Sequence, residues 1–140
     1  MNLAQWIDEF RDLEREERLE ELIELAEQLP ALSPERLREP LPESCRIQEC
    51  QTPVYLWVDV DRTTGRVHLE ADVPRKSPTV RGLLALVVQG LEGATVPEVL
   101  TLPDDLLGEL GLAQALGMTR QNGFRGVISR IKQIVRTAGG

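Results

Sequence analysis

Two amphipathic patterns open the chain. Apolar residues return every three or four positions with Glu and Arg between them, as in helices that pack one face on a core. These positions are Leu3, Trp6, Ile7, Phe10, Leu13, Leu19, Leu22, Ile23, Ala26 and Leu29. We expect one long helix or two in tandem, with a break in the charged run 14–18 and an end at Pro30. The charged run is interpreted as a solvated helix face, with a docking surface as the alternative.

The middle of the chain alternates between apolar and polar residues, as half-buried strands do. Val54–Val60 and Val67–Val73 follow this pattern, and Asp61–Gly65 between them has the composition of a turn. A third strand could come only from the proline-rich connector before Cys45. We therefore expect a small antiparallel sheet of about three strands, which needs helices on its apolar face to be stable.

Helical signals fill the rest of the chain. Ser77 and the proline after it predict an N-cap and a first helical residue for an almost wholly apolar, buried helix over 79–91. Short helix starts are expected at Thr95 and Thr101, and the last helix is expected from about Thr119. This order of elements predicts an α+β fold in which the sheet packs against helices.

Size and charge indicate the number of domains and the class of partner. A chain of 140 residues with 41% hydrophobic residues has the usual size of one domain, so we expect residues 1–140 to form a single domain. The net charge is −7, and residues 1–44 hold 13 acidic residues against 5 arginines. Because such a chain repels phosphate backbones, nucleic acid is not expected as a partner, and a protein partner is.

The chain contains no run of eighteen apolar residues, and its start lacks a basic region followed by an apolar core. We therefore expect no association with a membrane. Two cysteines without a secretion signal favour a reducing compartment in which thiols stay free, which predicts a cytoplasmic protein.

Cys50 is the first candidate for chemistry. It lies in a polar segment just ahead of the first predicted strand, and loops held by a rigid element often carry reactive side chains. A thiol that exchanges sulfur must be reachable and must be able to lose its proton. The alternative, a small buried hydrophobe, remains open from spacing alone. Cys45 is interpreted as a bystander thiol, with a redox partner of Cys50 as the alternative.

His68, the only histidine, could join Cys45, Cys50 and Asp72 in a set of four metal ligands. The spacing lacks a Cys-x-x-Cys or a histidine pair, so we expect no metal site and interpret His68 as a surface residue. A glycine-rich phosphate loop, a Ser/His/Asp set and a paired-carboxylate signature are also missing from the sequence. The pattern therefore does not indicate an independent enzyme.

Three motifs resemble the SufE/CsdE family. Ile47–Leu56 is similar to its signature, a hydrophobic residue followed by x-Gly-Cys-Gln-Ser-x-Val-Trp. Pro78–Leu86 resembles its Ile-Val-Arg/Lys-Gly-Leu helix start, and Arg120–Phe124 resembles the Ser-Arg-x-Asn-Gly-Leu start of its last helix. The motifs stand in the family's order and cover most of the chain. The resemblance implies a SufE/IscU-like fold with a three-stranded sheet.

The resemblance also implies a function. SufE-like proteins accept sulfur as a persulfide from a pyridoxal-phosphate cysteine desulfurase of the SufS or CsdA type, stimulate that enzyme, and pass the sulfur to an iron-sulfur cluster assembly scaffold. By resemblance Cys50 is the acceptor, and Gln51, Arg81, Arg120 and Asn122 are candidates for binding the partner or stabilising the persulfide. No cofactor is expected on this chain, which we expect to be a monomer or a weak homodimer. The alternatives are a metal-cluster scaffold of the IscU type and an adaptor that never carries sulfur.

Three residues, in two of the motif regions, depart from the family pattern. Glu49 replaces the glycine before the cysteine, where a positive φ would strain a side chain and where a negative charge is expected to raise the thiol pKa. Lys76 and Arg75 replace a Ser-Asp pair, so Ser77 is expected to take over the cap of the helix that follows. We further expect Cys50 to move between a sheltered and an extended loop position.

Overall fold

The computed structural model describes residues 2–139. In chain order the elements are α1 Leu3–Asp12, α2 Arg15–Ala26, a short 3-10 helix Glu43–Cys45, β1 Tyr55–Val60, β2 Val67–Asp72, α3 Pro78–Gly90, α4 Val96–Leu100, α5 Leu106–Glu109 and α6 Ala113–Gly139. The fold is α+β, as the sequence predicts. Among the described residues, no helix has the length and apolar character that crossing a bilayer requires.

The first two helices confirm the tandem interpretation. They separate at Leu13 and Glu14. Helix α1 starts with a reciprocal capping box, in which the side chains of Asn2 and Gln5 each accept a hydrogen bond from the other residue's amide, and at the start of α2 the Glu17 carboxylate accepts from the Glu14 amide at 2.9 Å. The charged run is more than a solvated face, because the Arg18 guanidinium donates to the carbonyl of Phe10 at 2.7 Å and to that of Gly111 at 3.1 Å. Arg18 thus joins the end of α1 to the segment after α5.

The two strands form the predicted hairpin. They pair antiparallel from Tyr55 opposite Asp72 to Val60 opposite Val67. The predicted count of three strands is wrong for the described residues, which contain a two-stranded sheet extended by a single bridge between Arg46 and Tyr55. The reason is local, because the 3-10 helix precedes the bridge and a turn follows it, so the connector has no room to extend along β1.

Helix α3 is the buried helix, with an unbroken run of buried residues over 82–88. Gly82 allows the close approach of α2, since a Cβ at this position would lie 2.0 Å from the carbonyl oxygen of Leu22. Ser77 occupies the predicted cap position, but its side chain accepts no capping hydrogen bond. Its hydroxyl instead lies 3.5 Å from that of Thr52. The expected replacement cap at Ser77 is therefore wrong.

The C-terminal third differs from prediction only in its boundaries. Thr95 starts α4 with a capping box, as expected, whereas the next short helix starts after Asp105 rather than at Thr101. Helix α6 already begins at Ala113 and breaks at Gly117, whose φ of 78° is typical of glycine. The segment after the break starts one residue before Thr119, so the expected start of the last helix marks this break.

Candidate functional site

The Cys50 loop, residues 47–54, is closed at its base by the sheet. Ile47 donates its amide to the carbonyl of Val54 at 2.9 Å, next to the bridge between Arg46 and Tyr55. Ile47 and Val54 are both buried, so the two ends of the loop are anchored in the core. A turn from Ile47 to Cys50 then brings Cys50 to the loop's far end. The polar residues between these anchors have no other secondary structure to hold them.

Cys50 meets the distant helix α6. Its Sγ lies 3.5 Å from the carbonyl oxygen of Gly123, and the residue is half-buried. The absence of a side chain at Gly123 matters here, because a Cβ would lie 3.1 Å from Sγ and 3.4 Å from the Cα of Cys50. The glycine of the Arg120–Phe124 motif therefore makes the recess that receives the cysteine.

Burial keeps the Cys50 thiol neutral. Loss of solvent is the main cause that raises the pKa of Cys50 from 9.0 to about 11, and the negative charge of Glu49 acts in the same direction. The nucleophilic form of cysteine is the thiolate, so in this position Cys50 is present mostly in its unreactive form near neutral pH. The loop protects the sulfur rather than activating it.

Space is available beside the sulfur. A cavity of about 390 Å³ has Cys50, Gln51 and Thr52 on its loop side. Its apolar wall comes from α3 and α6, through Val80, Leu83, Leu84, Leu116, Phe124 and Val127. Met118, which is 64% exposed, and the exposed Arg120 also line the cavity, so it reaches the protein surface. The arrangement can hold a sulfur atom added to Cys50 against apolar side chains, with a cation at the rim.

Comparison with known proteins shows the family of this chain. Residues 4–135 match the family model described as SufE, an Fe-S metabolism associated domain. The chain belongs to the SufE family. An uncharacterized SufE-like protein of Mycobacterium tuberculosis is 35% identical over 136 residues, which are 97% of this chain and 92% of that protein. The sulfur acceptor protein CsdE of Escherichia coli is 34% identical over 137 residues, covering 94% of this chain and 82% of CsdE.

A solved structure has the same fold. The solution structure of a hypothetical protein from Thermus thermophilus superposes with a TM-score of 0.82 and 32% sequence identity. The match covers 97% of this chain and 94% of that one. The SufE-family fold therefore extends over nearly all of the described residues.

The structure brings together only part of the predicted SufE-family site. Gln51 and Arg120 line the cavity with Cys50, whereas Asn122 is exposed and is not part of the lining. Arg81 is directed elsewhere, since its guanidinium donates to the carbonyls of Ala26 at 2.9 Å and Val73 at 2.6 Å. These bonds tie the end of α2 to the end of β2. Arg81, the basic residue of the second motif, thus has a structural role in this chain.

Glu49, the residue before the cysteine, lacks the backbone strain that a positive φ would cause. No described residue other than glycine has a positive φ, so Glu49 occupies its place without that penalty. The expected effect of its charge on the pKa of Cys50 is confirmed. Sequence reasoning missed what faces Glu49, which is Gly126 on α6. A signal was present, because Gly123 and Gly126 stand three residues apart in a helix, where glycine is unfavourable without a packing reason.

The other thiol and the histidine lie outside this cavity. Cys45 ends the short 3-10 helix, and both cysteines are free. His68 is exposed, as predicted, and its ligand atom lies within 4.8 Å of carboxylate oxygens of Asp59 and Glu70. Arg36 already neutralises these carboxylates, with contacts of 2.7 Å to each. In the described part of the chain, the ligand set considered as an alternative, His68 with the two cysteines and Asp72, is not assembled.

The pKa of His68 is expected to lie above the ordinary 6.5, chiefly because its Nδ1 lies 2.8 Å from the Glu92 carboxylate, with a smaller contribution from Glu70. Partial burial opposes this shift. The charged ring therefore stabilises the fold fully below pH 6.5, and this stabilisation disappears as the pH rises through the raised pKa. An NMR titration of the single histidine tests the direction of the shift. The free energy of unfolding of His68→Gln should approach that of the parent towards high pH, and a histidine pKa below 6.5 would contradict the proposed contacts.

Proposed function

We propose that this SufE-family protein accepts sulfur on Cys50 from the cysteine persulfide of a cysteine desulfurase, stimulates that enzyme, and passes the sulfur on towards iron-sulfur cluster assembly. The observation that carries the proposal is the position of Cys50, held at a loop tip against α6 with an apolar cavity beside it. The name of its relative CsdE, a sulfur acceptor protein, supports the same activity. All of residues 1–140 would act as one SufE-like domain, supported by a core cluster with members from α1 to α6.

The transfer needs only the thiol chemistry of two cysteines. The Cys50 thiolate attacks the outer sulfur of the donor persulfide, a new S–S bond forms on Cys50, and the S–S bond of the donor breaks. The donor thiolate leaves and takes up the proton that Cys50 has lost. The products are a Cys50 persulfide and the free donor thiol, with no net oxidation or reduction. Cys50 supplies this chemistry without a cofactor on this chain.

Shelter and delivery place opposite demands on the loop. In the observed position the thiol is neutral, which protects it from oxidants and alkylating agents but also slows its attack. Binding of the desulfurase would draw the loop away from α6, expose Cys50 to water and lower its pKa. The persulfide could then return to the cavity, where Gln51 and Arg120 offer polar contacts at the rim. Free cysteines suit the reducing cytoplasm, where we place this reaction.

Mass spectrometry tests the proposal directly. The protein is incubated with a cysteine desulfurase of the SufS or CsdA type and cysteine, and intact and digested protein are measured without a reductant. We expect one added sulfur atom, located on the peptide that contains Cys50. An unmodified protein that still stimulates the desulfurase would support the adaptor alternative. A tightly bound metal on the protein would support the scaffold alternative instead.

Slow reaction with alkylating agents is the expected property of the resting protein. In a Cys45→Ser background, Cys50 should react near neutral pH roughly ten- to a hundredfold more slowly than an unperturbed thiol, because little thiolate is present. The rate should rise with pH up to about 11, and it should increase when the desulfurase is added. Reaction as fast as that of a small free thiol would show that the sheltered position is not the resting state.

A further inference from the structure

Two glycines of α6 receive two consecutive residues of the Cys50 loop. Gly123 and Gly126 are both buried and stand three residues apart, so they lie on the same face of the helix. Gly123 faces Cys50, and Gly126 faces Glu49. A Cβ at Gly126 would lie 2.3 Å from the Oε2 of Glu49 and 2.8 Å from its Cβ. The Glu49 side chain therefore lies against the bare backbone of α6 at Gly126, with both its Cβ and its carboxylate close to the helix.

We propose that Glu49 is a positioning residue for Cys50, and that its packing on Gly126 forms a steric latch that holds the loop in the sheltered position. The functional value of the latch rests on the proposed function, because a sulfur acceptor needs a thiol that becomes accessible only to its donor. The latch itself concerns only the position of the loop, so it can be tested without any partner.

The rest of the loop tip is held weakly. The side-chain contacts of Gln48 to Glu43, Cys50 to Gly123 and Thr52 to Ser77 measure 3.4–3.5 Å. The contacts of Gln48 and Thr52 are longer than strong hydrogen bonds between nitrogen and oxygen or between two oxygens, and the Cys50 thiol is a weak donor by its chemistry. The firm anchors, Ile47 and Val54, lie at the base of the loop. Close packing of Glu49 and Cys50 on the two glycines is thus the main restraint on the tip among the described contacts.

The notch at Gly126 is specific for the loop. The three atoms nearest to a Cβ at Gly126 all belong to Glu49, so an added methyl group meets the loop first. The clash involves the Glu49 Cβ as well as its carboxylate, so rotation of the side chain alone does not relieve it. The loop must shift away from α6 instead. A larger residue at Gly126 is therefore expected to open the latch without unfolding the protein.

The test measures the alkylation rate of Cys50 in Cys45→Ser protein, with no desulfurase present. Gly126→Ala should accelerate the reaction by roughly tenfold or more, because overpacking shifts the equilibrium between closed and open loop. The same substitution is then made in two further backgrounds. With Glu49→Gln the methyl group still meets a side chain of the same size, so the acceleration should persist. With Glu49→Gly the notch is empty, and Gly126→Ala should change the rate by less than about twofold.

These backgrounds separate volume from charge. Glu49→Gln and Glu49→Gly both remove the carboxylate that raises the pKa of Cys50, but only the second vacates the notch. Equal acceleration by Gly126→Ala in all three backgrounds would overturn the latch, as would no acceleration in the parent. Circular dichroism and thermal melting confirm that each variant is folded, and Ala in place of a helical glycine should raise the Tm in the Glu49→Gly background. Alkylation involves no sulfur transfer, so failure of the proposed function leaves this outcome interpretable, and the converse also holds.

Discussion

Replacing Cys50 by Ser is expected to abolish the sulfur adduct and the stimulation of desulfurase turnover. A serine hydroxyl has nearly the size of the thiol and fits the recess at Gly123, but it cannot form the S–S bond of a persulfide. The loss should therefore be complete rather than partial. Mass spectrometry measures the adduct, and the rate at which the desulfurase releases alanine from cysteine measures the stimulation.

Cys45→Ser is the matched control, because it removes the other free thiol, which belongs to the 3-10 helix. This variant should keep most of the adduct and most of the stimulation. Equal losses in the two variants would indicate a mechanism that uses both cysteines. Retained stimulation in Cys50→Ser would show that the protein acts on the desulfurase through binding alone.

Gly82→Ala is expected to destabilise the protein by roughly 3 kcal/mol, which lowers Tm by about 10 °C. The added Cβ would lie 2.0 Å from the carbonyl oxygen and 2.8 Å from the carbonyl carbon of Leu22. These are backbone atoms in the middle of α2, so they cannot rotate away, and the two helices must separate. Thermal unfolding followed by circular dichroism measures the change.

Gly90→Ala provides the comparison within the same helix. A Cβ there would lie 3.1 Å from the Leu3 Cδ1 and 3.3 Å from its Cα and Cβ, so relief requires only small shifts of α1. Its effect should stay below about 1 kcal/mol, because small shifts cost little and Ala improves helix propensity. A similar loss in both variants would mean that the contact of Gly82 with α2 does not limit stability.

Gly82 also shows that a motif residue can have a structural role that the sequence does not reveal. The resemblance places this glycine in a helix start shared with the SufE/CsdE family, next to Arg81. The sequence predicts a functional use for Arg81 and gives no role to the glycine. In the structure both residues serve the junction of α2 with α3 and β2, through a close backbone contact and through two bonds to carbonyls. This helix-start motif is a candidate binding site, and it contributes equally to the packing of α2 on α3.

Local pattern determined the elements. Period-3.6 and period-2 spacing predicted α1, α2, α3 and the hairpin, because each of these elements buries one face or lies wholly in the core. The third strand was not settled by pattern, since the short segment at Arg46 pairs only where the neighbouring turns permit. Cys50 could be selected from the sequence because its reactive residue type, its polar neighbours and its family motif are all contiguous in the chain.

The environment of Cys50 was decided by tertiary structure. Its partner on α6 is 73 residues away, and the burial that raises its pKa depends on that helix lying against the loop. Spacing along the chain encodes which face of an element is apolar, but it does not encode which distant backbone the face will meet. The sequence by itself therefore identified the thiol and the elements around it. Only the tertiary structure decided that Glu49 and Cys50 would pack against two glycines of α6. This close approach is possible because glycine has no side-chain atoms to block it.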